Sequence, residues 1–418
     1  MDASSTAEEP ITAEWCAEHF DHLAPQLGRE LHETLERMRA DHPVAHSDRY
    51  GGFWVATSYE DVLRVAQDWS TFSSAHGITV PSAPVTIPAI PEMVDPPLHR
   101  EFKRLINAWF TPAVVLQQEQ ATRDLVTRLI DDVIEAGACD FMADFARPLP
   151  GLVFFEMVLH APADELAEIN RCATLASVPT NPEARAARGT MLAWITDFVD
   201  GRRAEPPRGD VVDAILNAEI EGRPITEQEV IGVIQLLLFG GLDTTAGALG
   251  QMMIRFCREP EIPALLRERP ELIPAAVEEL LRLDGPFVFI GRTAMDDAEV
   301  GGQTIRKGDK ILISWVSANR DEAEFACPAT FDLGRTSNRH IAFGAGPHRC
   351  AGSNLARMNL RIAVGELVRR FEDLRLADGG EIAFHSGFSR APLAVPITFA
   401  PGPRLGEAGT TPGAPAPA

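Results

Sequence analysis

A chain of 418 residues with a formal net charge of −22, 45% hydrophobic and 23% charged residues has the composition of a packed globular protein, which excludes wholesale disorder. The acidic excess argues against nucleic acid as a partner, because phosphate binding needs a basic surface. Six cysteines (Cys16, Cys139, Cys172, Cys257, Cys327, Cys350) lie far apart with no C-x-x-C pair, which argues against a disulfide framework or a structural zinc site and suits a reduced, cytoplasmic setting.

Met1 to Pro10 is acidic and lacks a basic n-region and an apolar h-region, so no secretory signal is expected, and residues 1–12 are read as a flexible N-terminus. Helical patterns cover Arg29 to Arg39, Val114 to Ala136, Thr226 to Arg258, Pro274 to Leu283 and Asn354 to Phe371. Strand-like patches are short: Gly52 to Ala56, Lys310 to Ile313 and Ala394 to Phe399. Proline-rich connections lie at Pro81 to Pro97, at Pro206-Pro207 and around Pro286, and none reads as a flexible interdomain linker. The expectation is one mainly helical domain with a small β-region over residues 13–401, followed by a loose Pro/Gly/Ala tail over 402–418. The longest apolar run, Val230 to Leu242, falls short of the ~18 residues of a membrane span.

Thr226-Glu-Gln-Glu229 spells a capping box and predicts the start of a central helix. Between Glu229 and Arg255 the only charge is Asp243, and a helix uncharged on all sides is normally buried. Yet Gly232, Gly240, Gly241, Gly247 and Gly250 each cost about 1 kcal/mol relative to Ala. Close approach of a large flat partner or of another backbone would compensate. Asp243 and Thr244 set an acid and an alcohol beside Gly240-Gly241; the plainer alternative is a kinked core helix with a satisfied polar pair.

The segment Phe343-Gly-Ala-Gly-Pro-His-Arg-Cys-Ala-Gly352 precedes the last predicted helix. A cysteine at the start of a helix has its thiolate favoured by the dipole and by free N–H groups. His348-x-Cys350 has no second ligand pair for zinc, and the spacing lacks the G-x-x-x-x-G-K of a phosphate loop. A lone buried cysteine is most often structural; the functional alternative is a single axial thiolate to haem iron.

The segment matches the F-G-x-G-x-H-x-C-x-G signature of the cytochrome P450 family at every fixed position. Glu279-Leu-Leu-Arg282 matches that family's E-x-x-R motif, and Phe331-Asp-Leu-Gly-Arg335 resembles its F-D-x-x-R partner. Gly240-Gly-Leu-Asp-Thr-Thr245 resembles its oxygen-activation motif, with Gly where Ala is common in the first position. Asp95-Pro-Pro-Leu-His99 through Phe110-Thr-Pro112 resembles the haem-contacting helix of soluble bacterial members. The five motifs occur in the family's order, and the resemblance runs from Asp95 to Pro396.

The resemblance implies a single-domain fold with haem b (iron protoporphyrin IX) held between the central helix and the cysteine loop. Cys350 would ligate the iron; His99, Lys103, Arg292 and His348 would meet the propionates, with Lys103 standing where bacterial members usually carry Arg. Asp243 would relay protons, and Thr244 would hold oxygen and an ordered water. Glu279, Arg282 and Arg335 would form a buried structural network. Pocket candidates are Leu237, Gly241, Val288, Phe289, Phe388 and the stretch Ile78 to Ile90, all suited to a hydrophobic small-molecule substrate. The implied activity is a monooxygenase using O₂. With the chain ending soon after the cysteine helix, a separate ferredoxin and its NAD(P)H-dependent reductase are expected to supply the electrons. A peroxide-driven or redox-neutral haem enzyme and a non-enzymatic haem ligand sensor remain as alternatives.

Overall fold

The central helix runs unbroken over Glu227–Arg258, and its start is fixed by the predicted capping box. The Thr226 hydroxyl accepts from the Glu229 N–H, and the Glu229 carboxylate accepts from the Thr226 N–H at 2.8 Å. This is a computed structural model that describes residues 10–82, 87–176, 181–377, 381–384 and 387–406. The tip of the Ile78 to Ile90 pocket stretch (83–86) and most of the expected flexible termini (1–9 and 407–418) lie outside the described residues.

The largest hydrophobic cluster surrounds the central helix and draws on Glu119–Ile134, Ile273–Asp284 and Ser353–Arg370. Four of the five predicted helices are single elements. The pattern over Val114 to Ala136 instead yields Pro112–Leu116 and Glu119–Ile134. There the Gln117 and Gln118 N–H groups bond to Val114 and Val115, three residues back, which tightens the backbone and redirects it.

The small β-region is a five-stranded sheet of β1 (Val44–Ser47), β2 (Phe53–Ala56), β3 (Phe72–Ser73), β4 (Phe289–Ala294) and β5 (Lys310–Ser314), in the order β1-β2-β5-β4-β3. Only the β2–β5 pair is parallel. The strand predicted near Phe399 forms as Pro396–Ala400 and pairs with Ala138–Asp140 and Glu372–Leu376.

Both termini of the expected domain are better anchored than their composition suggests. Thr12 caps the first helix by accepting from the Trp15 N–H. Residues 402–406, assigned to the loose tail, are tied to Asp131, which accepts from the Leu405 and Gly406 N–H groups at 3.0 and 2.7 Å. Arg370 donates to the Pro403 carbonyl at 2.9 Å.

Glu279, Arg282 and Arg335 lie together, with Glu279 and Arg282 1% and 0% exposed. Arg282 donates twice to Glu279, at 2.9 and 2.7 Å, and spends its remaining N–H groups on the carbonyls of Asn319, Pro328 and Thr330. Arg335 and Asn338 also reach Glu279, so the buried charges are paired and hydrogen-bonded on every side. This network locks the helix before β4 to the loop that precedes the cysteine segment.

Candidate active site

The cysteine loop takes its shape from glycines in the left-handed region. Gly346 has φ +68°, and a Cβ there would stand 2.4 Å from the Ala66 carbonyl oxygen, so only glycine fits. The Cys350 N–H donates to the Phe343 carbonyl at 2.8 Å and closes the loop. Cys350 has an exposed surface, yet burial pushes its thiol up, against the pull of the Gly352 N–H, Lys103 and Arg357. A bound metal would favour the thiolate, since a coordinating thiol is deprotonated outright. Among the described residues there is no group of three or more His, Cys, Asp or Glu side chains able to hold a metal ion, which leaves Cys350 a lone donor.

The central helix presents one uncovered stripe. Leu236, Phe239, Asp243 and Thr244 are half-buried and Gly240 is exposed, at the i, i+3, i+4 spacing of one helical face. Four of its glycines are explained by protein contacts: an added Cβ would strike the Pro88 carbonyl at Gly232, Phe154 at Gly241, Pro286 at Gly247 and Met142 at Gly250. At Gly240 nothing lies within 4 Å. Gly240 is thus the position that leaves room for a flat partner, and Gly241, expected in the pocket, packs against Phe154 instead.

Asp243 and Thr244 are bonded in different directions. The Ser389 hydroxyl donates to the Asp243 carboxylate at 2.9 Å. The Thr244 hydroxyl donates to the Gly240 carbonyl at 3.0 Å, which commits its proton and leaves its oxygen free to accept. Ser389, missed in the sequence, lies beside Phe388, whose half-buried ring stacks with Phe287 at 6.5 Å. Three other pocket expectations are corrected. Leu237 is buried in the main core, one position off the open stripe. Val288 and Phe289 pack with Leu27 and Leu31 around a void of about 10 Å³, room for one water at most, and Phe289 meets Phe20 edge to face. Ile90 is likewise buried, whereas Ile78 and Ile87 stay half-buried.

A second cluster gathers His99, Lys103, Arg292 and His348 with a fifth residue, Glu92. The His99 and His348 rings meet edge to face at 4.4 Å, and Arg292 and His99 are each 2% exposed. Glu92 lies 3.6 Å from both Arg292 Nη2 and His348 Nδ1. His348 also contacts the Ser74 hydroxyl at 3.2 Å. Both ring nitrogens of His99 and Nδ1 of His348 are buried without a hydrogen-bond partner, and burial, with His348 and Lys103 nearby, lowers His99 to about 4. Lys103 donates its ammonium to the Arg349 carbonyl at 2.5 Å, beside Cys350. Buried donors without acceptors fit an anionic ligand, and haem carries two carboxylates. With an exposed lone thiol in the cysteine loop and an open glycine on the central helix, the residues present fit haem.

Along the Leu98–Asn107 helix, His99, Arg100, Lys103, Arg104 and Asn107 join Pro347 around an open hollow of about 590 Å³. Arg104 pairs with Glu101 at 3.0 Å, while Arg357 and Arg361 share Glu278, at 2.8 and 3.3 Å. Burial opposes the charge of Glu278, but His340 and Arg357 hold its carboxyl down at about 2.

Fold and site together define a haem-thiolate protein, and comparison with known proteins places it. The cytochrome P450 family model matches residues 177–386. A probable cytochrome P450 127A1 of Sinorhizobium fredii is 36% identical over 371 residues, covering 87% of this chain and 89% of that protein. Nocardicin C N-oxygenase of Nocardia uniformis is 36% identical, covering 88% and 96%. Among solved structures, a mutant of P450 EryK in complex with erythromycin B superposes with a TM-score of 0.82 at 29% identity, covering 90% of this chain and 97% of that one. The chain belongs to the cytochrome P450 family. It is a haem b-dependent monooxygenase that uses O₂, a hydrophobic substrate and redox partners.

Proposed function

We propose that Cys350 is the axial thiolate, that His99, Lys103, Arg292 and His348 anchor the haem propionates, and that Asp243 and Thr244 manage protons while an oxygen atom enters an apolar small molecule. Haem, when bound, supplies O₂ activation and the passage of electrons. The chain's own residues do the rest. Thr244, its proton held by the Gly240 carbonyl, accepts a hydrogen bond from an ordered water. Asp243, oriented by Ser389, takes protons from solvent and passes them toward that water. Leu236, Phe239, Phe287 and Phe388 exclude bulk water and orient the substrate by apolar contact.

The observation that carries this reading is Cys350, an exposed cysteine in a glycine-shaped loop just before the Ser353–Arg370 helix, with Lys103 donating to the carbonyl of the residue that precedes it. Relatives carry names as different as nocardicin C N-oxygenase, linalool 8-monooxygenase and steroid C26-monooxygenase, so the names point to no single substrate skeleton. A ferredoxin, reduced by an NAD(P)H-dependent reductase, is the proposed electron donor, docking over the basic hollow beside Arg100 and Arg104. Among the described residues one helix, Glu227–Arg258, is long and apolar enough to cross a membrane, but 61% of its most apolar window is buried, as in a core helix, which supports the cytoplasmic location proposed here.

The test is the carbon-monoxide complex of the reduced protein. Cys350→Ser abolishes the long-wavelength Soret band typical of the family, while replacement of each other cysteine preserves it. A normal band in Cys350→Ser would refute the assignment.

A further inference from the structure

Glu92 is the residue of the propionate cluster that no sequence motif singled out. It sits in a segment pinned on both sides. The Ile90 N–H donates to the Gly232 carbonyl of the central helix at 3.1 Å. Asp95 accepts from the Ser73 hydroxyl at 2.5 Å and from the Ser74 N–H at 3.1 Å. Between these anchors the Glu92 carboxylate approaches Arg292 on β4 and His348 in the cysteine loop, so one side chain links three separate parts of the chain.

The geometry is not that of a closed ion pair. In the Glu279–Arg282 pair the same protein makes direct bonds of 2.7 and 2.9 Å and satisfies both carboxylate oxygens. Glu92 stands 3.6 Å from each partner, beyond hydrogen-bond distance, and its Oε1 is buried with no hydrogen-bond partner at all. It acts through its charge rather than through a directional bond. Burial opposes that charge, but His348, Arg292 and Lys103 keep the carboxyl below its ordinary range.

We propose that Glu92 is a positioning residue for haem: a fixed negative charge that holds Arg292 and His348 ready for the propionates and biases the bound iron toward the ferric state. The proposal rests on reading Arg292 and His348 as propionate anchors. Its physical basis is Coulombic. An electron added to haem is disfavoured by a neighbouring anion in a medium of low dielectric constant, so neutralising Glu92 must favour reduction.

The test uses the substrate-free holoenzyme at low salt. Spectroelectrochemical titration gives the ferric/ferrous midpoint of the wild type, of two neutral variants of different shape, Glu92→Gln and Glu92→Ser, and of Glu92→Asp. Both neutral variants are expected to shift positive together, and Glu92→Asp to stay near the wild type. A purely structural contact would order the variants by shape instead of charge. If Glu92→Gln fails to load with haem, Glu92→Ser carries the comparison. In parallel, haem transfer to excess apomyoglobin is expected to run several-fold faster from Arg292→Gln than from the wild type. Unchanged midpoints in the neutral variants, with faster transfer from Arg292→Gln, overturn the role of Glu92 alone. Unchanged transfer from Arg292→Gln overturns the anchor reading and the proposal with it.

Discussion

Gly240 and Gly241 are neighbours in one helix, and the same substitution is expected to act on them with opposite sign. In a helix interior Ala is favoured over Gly by about 1 kcal/mol, and both sites gain that. At Gly240 an added Cβ meets nothing within 4 Å, so Gly240→Ala keeps the gain as net stabilisation. At Gly241 the same Cβ falls 2.7 Å from one carbon of the Phe154 ring and 2.9 Å from the next. Phe154 is itself buried, so the ring cannot swing into solvent, and overpacking of this kind costs ~1–3 kcal/mol. After the helix gain is subtracted, Gly241→Ala is neutral to destabilising by roughly 2 kcal/mol, and the two variants are separated by ~1–3 kcal/mol. Urea unfolding of the two variants with haem removed, followed by far-UV circular dichroism, measures that separation without the flat partner for which Gly240 leaves room. Equal stability of the two variants would show that the helix faces are misassigned, and with them the stripe from Leu236 to Thr244.

Three further outcomes follow from the site. Thr244→Ala should keep haem and still consume reductant but release more of it as hydrogen peroxide, because the ordered water loses its acceptor; Asp243→Asn should slow product formation on the order of 10²-fold. Wild-type coupling and rate in both, read from product formed per NAD(P)H consumed, would sink the proton reading. Arg282→Ala leaves the Glu279 charge buried without its main partner, a loss of about 3–5 kcal/mol that should appear as a steep fall in haem-loaded yield and in the urea midpoint. Arg100→Glu and Arg104→Glu should raise the ferredoxin concentration needed for half-maximal rate and leave substrate-induced spectral shifts alone, and in the wild type that concentration should rise with ionic strength. A ferredoxin dependence indifferent to both the substitutions and salt would place docking elsewhere.

Motif chemistry was legible in the sequence because it is local. The capping box at Thr226, the tight cysteine loop and the i, i+3 pair of Glu279 and Arg282 each depend on residues within a few positions of one another. What faces what was less legible. Leu237 and Leu236 are indistinguishable by composition, yet a step of about 100° around the helix decides which of them faces the void. The five glycines looked alike, and only the neighbours supplied by distant segments separate Gly240 from the four that accommodate protein atoms. The 21-residue helix Ala184–Ala204 escaped notice although Ala187, Met191, Ile195 and Val199 recur on one face, because its stripe begins on alanines that contrast weakly with their surroundings. Ser389 and Glu92 carry no local signature; each is defined by a partner far away in sequence.

Lys103 brings these two kinds of information together. Its position marks it for a propionate, where an arginine would offer a rigid fork with donors for two carboxylate oxygens. A lysine has a single compact charge on a flexible stem, and here that charge is committed to the Arg349 carbonyl, one residue before the cysteine. A neutral carbonyl takes one of its three N–H donors and cancels none of its charge, so the ammonium still contributes positive potential both to the propionate cluster and to the sulfur. The substitution thus exchanges a bidentate anchor for a clamp on the ligand loop. Burial lowers Lys103, while Cys350 and Glu92 act to keep it charged. Arg292, 2% exposed on β4, is then left as the guanidinium of the cluster, which is why its replacement rather than that of Lys103 is the sharper probe of haem retention.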